Sequence, residues 1–135
     1  MADEKKTKRK KQPDLHLGEM PVGKIKTTID VDLEPGPVVL TAGAQKHAAS
    51  RHPEDYAECM PHLAGIIASP LYIGDDLNNL GIELIGRIRA LDSAVLVAVT
   101  IDKDERGRYR VCSFYPISEA KIENRRARRF LKPAV

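Results

Sequence analysis

Residues 82–117 constrain the fold of this chain more than any other stretch. Ile82, Leu84, Gly86, Ile88 and Ala90 alternate with Glu83, Ile85, Arg87 and Arg89. A second run carries Val95, Val97, Val99 and Ile101, and a third extends from Tyr109 to Ile117. Apolar side chains recurring every second residue mark strands with one face buried. The first two runs are separated by the polar pair Asp92-Ser93, the last two by a loop from Lys103 to Arg108 containing Gly107. Short polar connections between alternating runs predict an antiparallel meander. The middle run is apolar on both faces, so it belongs at the centre of its sheet. Strict alternation along the third run groups Val111, Ser113 and Tyr115 on one face and Cys112 and Phe114 on the other.

Ahead of the meander the periodicity becomes helical. Thr41 is placed to cap a helix over residues 42–51, and His52 cannot continue it because Pro53 follows. A second helix starts at Pro53, with Glu54 and Asp55 in its first turn. Its apolar face is Tyr56, Met60, Leu63 and Ile67, and Pro61 kinks or splits it. Further upstream, Ile25, Thr27, Ile29, Val31 and Leu33 alternate with Lys24, Lys26, Thr28, Asp30 and Asp32, which predicts an N-terminal strand. Ser118 opens a final helix over residues 119–131, with a narrow apolar stripe at Ala120, Ala127 and Leu131. Helices followed by consecutive strands argue for an α+β fold: an N-terminal strand and two to three short helices, then an antiparallel meander sheet, closed by a basic C-terminal helix.

A chain of 135 residues, 42% hydrophobic and without tryptophan, supports one core built on aliphatic side chains. Residues 1–20 have no apolar periodicity and read as a disordered basic tail that includes His16, with residues 21–135 as a single domain. No apolar run approaches the ~20 residues that span a bilayer. The charged opening has no apolar leader, which points to a cytoplasmic protein. Cys59 and Cys112 have no metal spacing and read as two reduced core thiols. The four histidines do not fall into a zinc pattern, and there is no glycine-rich phosphate loop. No metal or other cofactor is expected.

The net charge of +3 is unevenly spread. Residues 1–11 and residues 119–132 each carry six basic and two acidic side chains, leaving the rest of the chain acidic by five charges. Basic ends on an acidic body suit an anionic partner. In the last helix Lys121, Arg125, Arg128 and Lys132 recur at helical spacing, a row able to meet phosphates.

The densest group of reactive side chains is Lys46, His47, Arg51 and His52. His47 and Arg51 are four apart and share a helix face. An imidazole beside a guanidinium is the equipment for RNA cleavage without a metal. A base removes the proton of the ribose 2′-hydroxyl, and a cation stabilises charge developing on phosphorus. The same four side chains are also what a solvated helix end looks like. Ser113 and Tyr115, two apart on the last strand, could orient a substrate, and Arg87 could line the same cleft. His62 is expected to be structural or to lie on the surface.

In order along the chain stand Gln45-Lys46-His47 with Arg51-His52-Pro53, then Ile66 to Gly74, Ile82 to Ile85, Val97 to Asp102, Tyr109 to Tyr115, and the arginine-rich end. This series resembles the phage barnase–EndoU–colicin–RelE-like nuclease domains over residues 38–132. The resemblance implies N-terminal helices followed by an antiparallel sheet, and metal-independent ribonuclease activity on tRNA or other structured RNA. Carried over by position, it puts catalytic roles on His47, Arg51, His52 and Ser113, and substrate contacts on Lys46 and Tyr115; the strand face and helix spacing add Arg87, Arg125 and Arg128 as candidate substrate contacts. It also implies a phage or prophage setting in a bacterial host cell, with RNA and an immunity or host protein as partners. The alternative is a non-catalytic protein on the same scaffold, an inhibitor of host defence or a virion accessory.

Overall fold

The computed structural model describes residues 13–135. The meander forms as β4 (Gly81–Ile88), β5 (Ser93–Thr100) and β6 (Tyr109–Ile117), each antiparallel to the next. It is the middle of a larger sheet. β3 (Tyr72–Asp76) pairs with β4, and β7 (Leu131–Pro133) closes that edge. On the other side β2 (Pro37–Leu40) runs parallel to β6, and β1 (Leu15–Glu19) pairs with β2. The strand order is β1-β2-β6-β5-β4-β3-β7. β5 is central, and its Val95, Leu96, Val97 and Val99 are inaccessible to solvent.

The two faces of the sheet have separate cores. On one, Ile82 and Leu84 of β4, Val95, Val97 and Val99 of β5, and Val111 and Phe114 of β6 pack beneath the helices. Those helices are α1 (Val22–Ile29), α2 (Ala42–Arg51), α3 (Pro53–Cys59) and α4 (Leu63–Ala68). The single turn Met60–His62 lies between α3 and α4, so Pro61 splits the expected second helix. Gly86 of β4 lets α4 approach: a Cβ there would come within 2.9 Å of Ile66 Cγ1. On the other face Ile122 of α5 (Glu119–Ala127) packs against Ile85, Leu96, Ile117 and Leu131.

Several expectations are corrected. The strand expected over residues 24–33 is a helix over Val22–Ile29 followed by irregular chain. Ile25 and Ile29, four apart, satisfy a helical repeat as well as an alternating one, and Val22, three before Ile25, fits only the helix; Pro21 stands just ahead of the first turn, and Asp30 ends the helix at φ 58°. The N-terminal strand lies earlier, inside the segment read as tail. Leu15–Glu19 pairs with β2, and Leu17 and Met20 are buried. His16 is therefore on an edge strand, and residues 1–12 lie outside the described residues. The last helix ends at Ala127 and not at residue 131, because Leu131 leaves it to join β7. Its anchor is the buried Ile122, whereas Ala120 and Ala127 are exposed.

The parity of β6 also changes. Ala98 stands opposite Ser113 and Val99 opposite Val111, so a bulge falls at Cys112. The extra residue shifts every later side chain to the other face. Val111 and Phe114 thus share the helix-side core, while Ser113 and Tyr115, opposite Ala98 and Leu96, belong to the α5 face. Cys112 is exposed rather than in the core, and Cys59 is buried; both are free thiols.

A cleft between α2 and the open edge of β6

β2 pairs with β6 only at Val38–Tyr109 and Val39–Arg110. At Thr41 the chain leaves the sheet to form α2, while β6 continues to Ile117. The wedge between the departing helix and the continuing strand is a cleft of about 490 Å³. α2 contributes Ala44, His47, Ala48 and Arg51, spaced at i, i+3, i+4 and i+7, which is one helix face. His52, at the junction with α3, and Asp55, in the first turn of α3, continue the wall. Leu40 closes the end, and residues 111–115 of β6 form the opposite side. Tyr56 of α3 packs against Phe114, ring centroids 6.1 Å apart, and holds that helix to the strand.

The N-terminal end of α2 is pinned from several directions. Thr41 Oγ1 accepts from the Ala44 amide at 3.2 Å, and Asp14 Oδ1 accepts from the Ala42 amide at 2.8 Å. Gln45, almost fully buried, donates through Nε2 to the Pro13 and Leu40 carbonyls. Asp14 is itself bound by Arg108 Nη1 at 2.9 Å, and Arg108 also engages Asp104. The Asp104 carboxyl is held down to about 2, first by the Arg108 side chain and then by the amides of Arg108 and Arg106. Asp14 is lowered by the Ala42 amide and then by Arg108. This network fixes the helix whose far end carries the imidazoles.

His47, Arg51, His52, Ser113 and Tyr115 therefore meet in one cleft. The side chains of His47, Arg51 and His52 make no hydrogen bond or ion pair to another described residue. Lys46 is exposed but off the stripe that faces the cleft. Asp55 and Cys112 were not anticipated as cleft residues. Asp55 could have been found from its place three residues beyond His52 across the helix junction, whereas Cys112 depends on the bulge, which leaves no clear trace in the sequence. Desolvation raises the Cys112 thiol, which makes it a poor nucleophile near neutrality.

The expected basic row is divided: Arg125 and Arg128 share one cleft, and Lys132 lines another with Arg126 and Arg129. Arg87 is held by Glu119 in a two-point contact at 2.7 and 2.9 Å, and both Arg87 and Arg126 lie over the Tyr72 ring. Arg125 Nε reaches Glu83 at 3.2 Å, and Arg126 pairs with Glu123. Arg128 lies over the Phe130 ring and lines a larger cleft of about 560 Å³, shared with Asp75, Asp76, Glu83 and Arg125. The carboxylates of that cleft offset its guanidiniums. His62 lies in a separate shallow cleft with Arg87. Among the described residues no three His, Cys, Asp or Glu side chains are grouped to share a metal ion, and no helix is long and apolar enough to cross a membrane.

Residues 16–124 match the family described as phage-Barnase-EndoU-ColicinE5/D-RelE like nuclease3. The chain belongs to this family. The match starts on β1 and ends within α5, so the nuclease-family domain includes the whole α2–β6 cleft. No curated protein and no solved structure matches the chain significantly. Family membership makes nucleic acid the substrate class for this domain.

Proposed function

We propose that the protein is an RNA endonuclease that needs no metal and acts through the ribose 2′-hydroxyl. The observation that carries this reading is the meeting of two imidazoles and one guanidinium that has no partner among the described residues, in a single cleft of a nuclease-family domain. Imidazole is the side chain whose ordinary protonation range brackets neutrality, so two of them can serve as base and acid in one turnover. One histidine takes the 2′-hydroxyl proton as the 2′-oxygen bonds to phosphorus. The other gives a proton to the 5′-oxygen as its bond to phosphorus breaks. Arg51 offsets the charge that develops on the phosphoryl oxygens. The products are a 2′,3′-cyclic phosphate and a free 5′-hydroxyl. Asp55 supplies a carboxylate able to orient an imidazole, and Ser113 and Tyr115 position the substrate at the mouth. Lys46, just outside, adds a cation for the flanking phosphate.

The test compares an RNA oligonucleotide with its 2′-O-methyl counterpart in EDTA. The RNA is expected to be cut to fragments ending in 2′,3′-cyclic phosphate, and the 2′-O-methyl strand to stay intact. Cutting of the 2′-O-methyl strand would replace transesterification by direct hydrolysis.

A further inference from the structure

Residues 111–115 line the cleft without interruption. Successive side chains of a strand point to opposite faces, so side chains on one face cannot account for such a run. The bulge at Cys112 explains one irregularity but not Ser113, Phe114 and Tyr115 in succession. What lines the cleft is the edge of β6. That edge is open: β2 pairs with β6 at Tyr109 and Arg110, and no other described strand lies on that side.

Antiparallel pairing alternates residues that bond to the partner strand with residues whose N–H and C=O point away. Pro116, opposite Val95, has no N–H to give and is tolerated where that group would face away from β5. Phe114, two residues earlier, has the same sense. Its N–H and C=O therefore face the cleft, while its ring is buried beside Tyr56.

We propose that this main-chain edge reads one unpaired nucleobase. The inference rests on the ribonuclease reading of the same cleft and names its substrate class: single-stranded or flipped-out nucleotides. A base offers neighbouring donors and acceptors on its hydrogen-bonding edge, which the N–H and C=O of one residue can match. Leu40, Ala44, Ala48 and Val111 give the cleft an apolar lining suited to a base. His47, Arg51 and His52 stand where the attached phosphate would lie. A base inside a duplex has that edge occupied and cannot enter. A protein strand could pair with the same edge, but it carries no phosphate for Arg51 and the imidazoles of His47 and His52.

The experiment titrates the isotope-labelled full chain with the four ribonucleoside 3′-monophosphates and with inorganic phosphate, following backbone amides by NMR. All five probes are expected to shift resonances of His47 and Arg51. Only the nucleotides should shift the Phe114 amide, and the best and worst bases should differ in affinity by at least about tenfold. The Phe114 response should persist in His47→Ala, which leaves the strand edge intact. Equal affinities with an unmoved Phe114 amide would overturn the inference even if the protein cleaves RNA. Base discrimination with the Phe114 shift, in a protein that leaves RNA intact, would support the inference and refute the ribonuclease reading. A Phe114 amide that responds to an added β-strand peptide but to no nucleotide would overturn it in favour of strand pairing.

Discussion

Individual side chains divide here between those satisfied by the fold and those left for a ligand. Arg108 shows the first kind. It joins Asp14 at the start of β1 to Asp104 in the β5–β6 loop, and through Asp14 it reaches the first amide of α2. Nothing in the spacing of residues 14, 104 and 108 suggests this, because the pairing exists only once β1 lies beside β2. His47 and Arg51 show the second kind and were legible, since residues four apart on one capped helix share a face whatever the tertiary structure. The Asp104 network has a pH signature. Its folded carboxyl lies near 2, below the ~3.9 of an unfolded aspartate. The group therefore adds stability above about pH 4 that is lost as pH falls toward 2. Denaturant midpoints measured from pH 7 to pH 2 should drop across that interval, and Asp104→Asn should make the drop shallower while lowering the midpoint at pH 7. Equal slopes for the two proteins would separate Asp104 from acid stability.

At the level of elements, the meander was readable because each run alternates, each connection is polar and short, and burial on two faces follows from composition. The N-terminal half was less so. Ile25 and Ile29 fit two periods at once, Val22 fits only the helical one, and tertiary packing chose the helix. β1 has only Leu15 and Leu17 as alternating apolar residues, too short a signal to stand out beside a lysine-rich stretch. Its place in the sheet changes what truncation should do. Removing residues 1–20 takes away β1, the buried Leu17 and Met20, and the Asp14 contact to α2. Burying two large apolar side chains contributes roughly 3–6 kcal/mol, so the truncated protein should melt markedly lower. An unchanged melting temperature would mean that β1 contributes nothing. The α4–β4 contact is equally specific. Gly86→Ala puts a methyl 2.9 Å from Ile66 Cγ1 within a packed core, and chemical denaturation should show a loss of about 1–3 kcal/mol. A neutral result would mean that α4 can move outward freely.

Across the whole molecule, the sheet is covered on one face by α1–α4 and on the other by α5, and within the sheet it opens where β2 ends and β6 runs on. That opening was not visible in the sequence: β2 has four residues, its parallel partner is about seventy positions away, and the bulge reverses the facing of Ser113 and Tyr115. Charge distribution follows the same division. Sequence spacing grouped Arg125 and Arg128 as a phosphate row, but Glu83 and Glu119, from opposite ends of the fold's second half, take up Arg125 and Arg87. Salt dependence of RNA binding should register the difference. Arg51→Gln should reduce the slope of log affinity against log salt by ~0.7, one single-strand phosphate contact, and Arg125→Gln should leave the slope unchanged. The reverse ranking would put the nucleic-acid surface on α5.

The central claim is that the imidazole and guanidinium of α2 perform the cleavage. It is tested most directly by single-turnover cleavage of an end-labelled RNA in EDTA by the wild-type protein and by His47→Ala and Arg51→Ala. Both substituted side chains are exposed, so thermal unfolding should be unchanged. The wild type is expected to release 2′,3′-cyclic phosphate ends, and each variant to lose at least about a hundredfold in rate. Undiminished cleavage by both folded variants, or no cleavage by the wild type, would contradict the account.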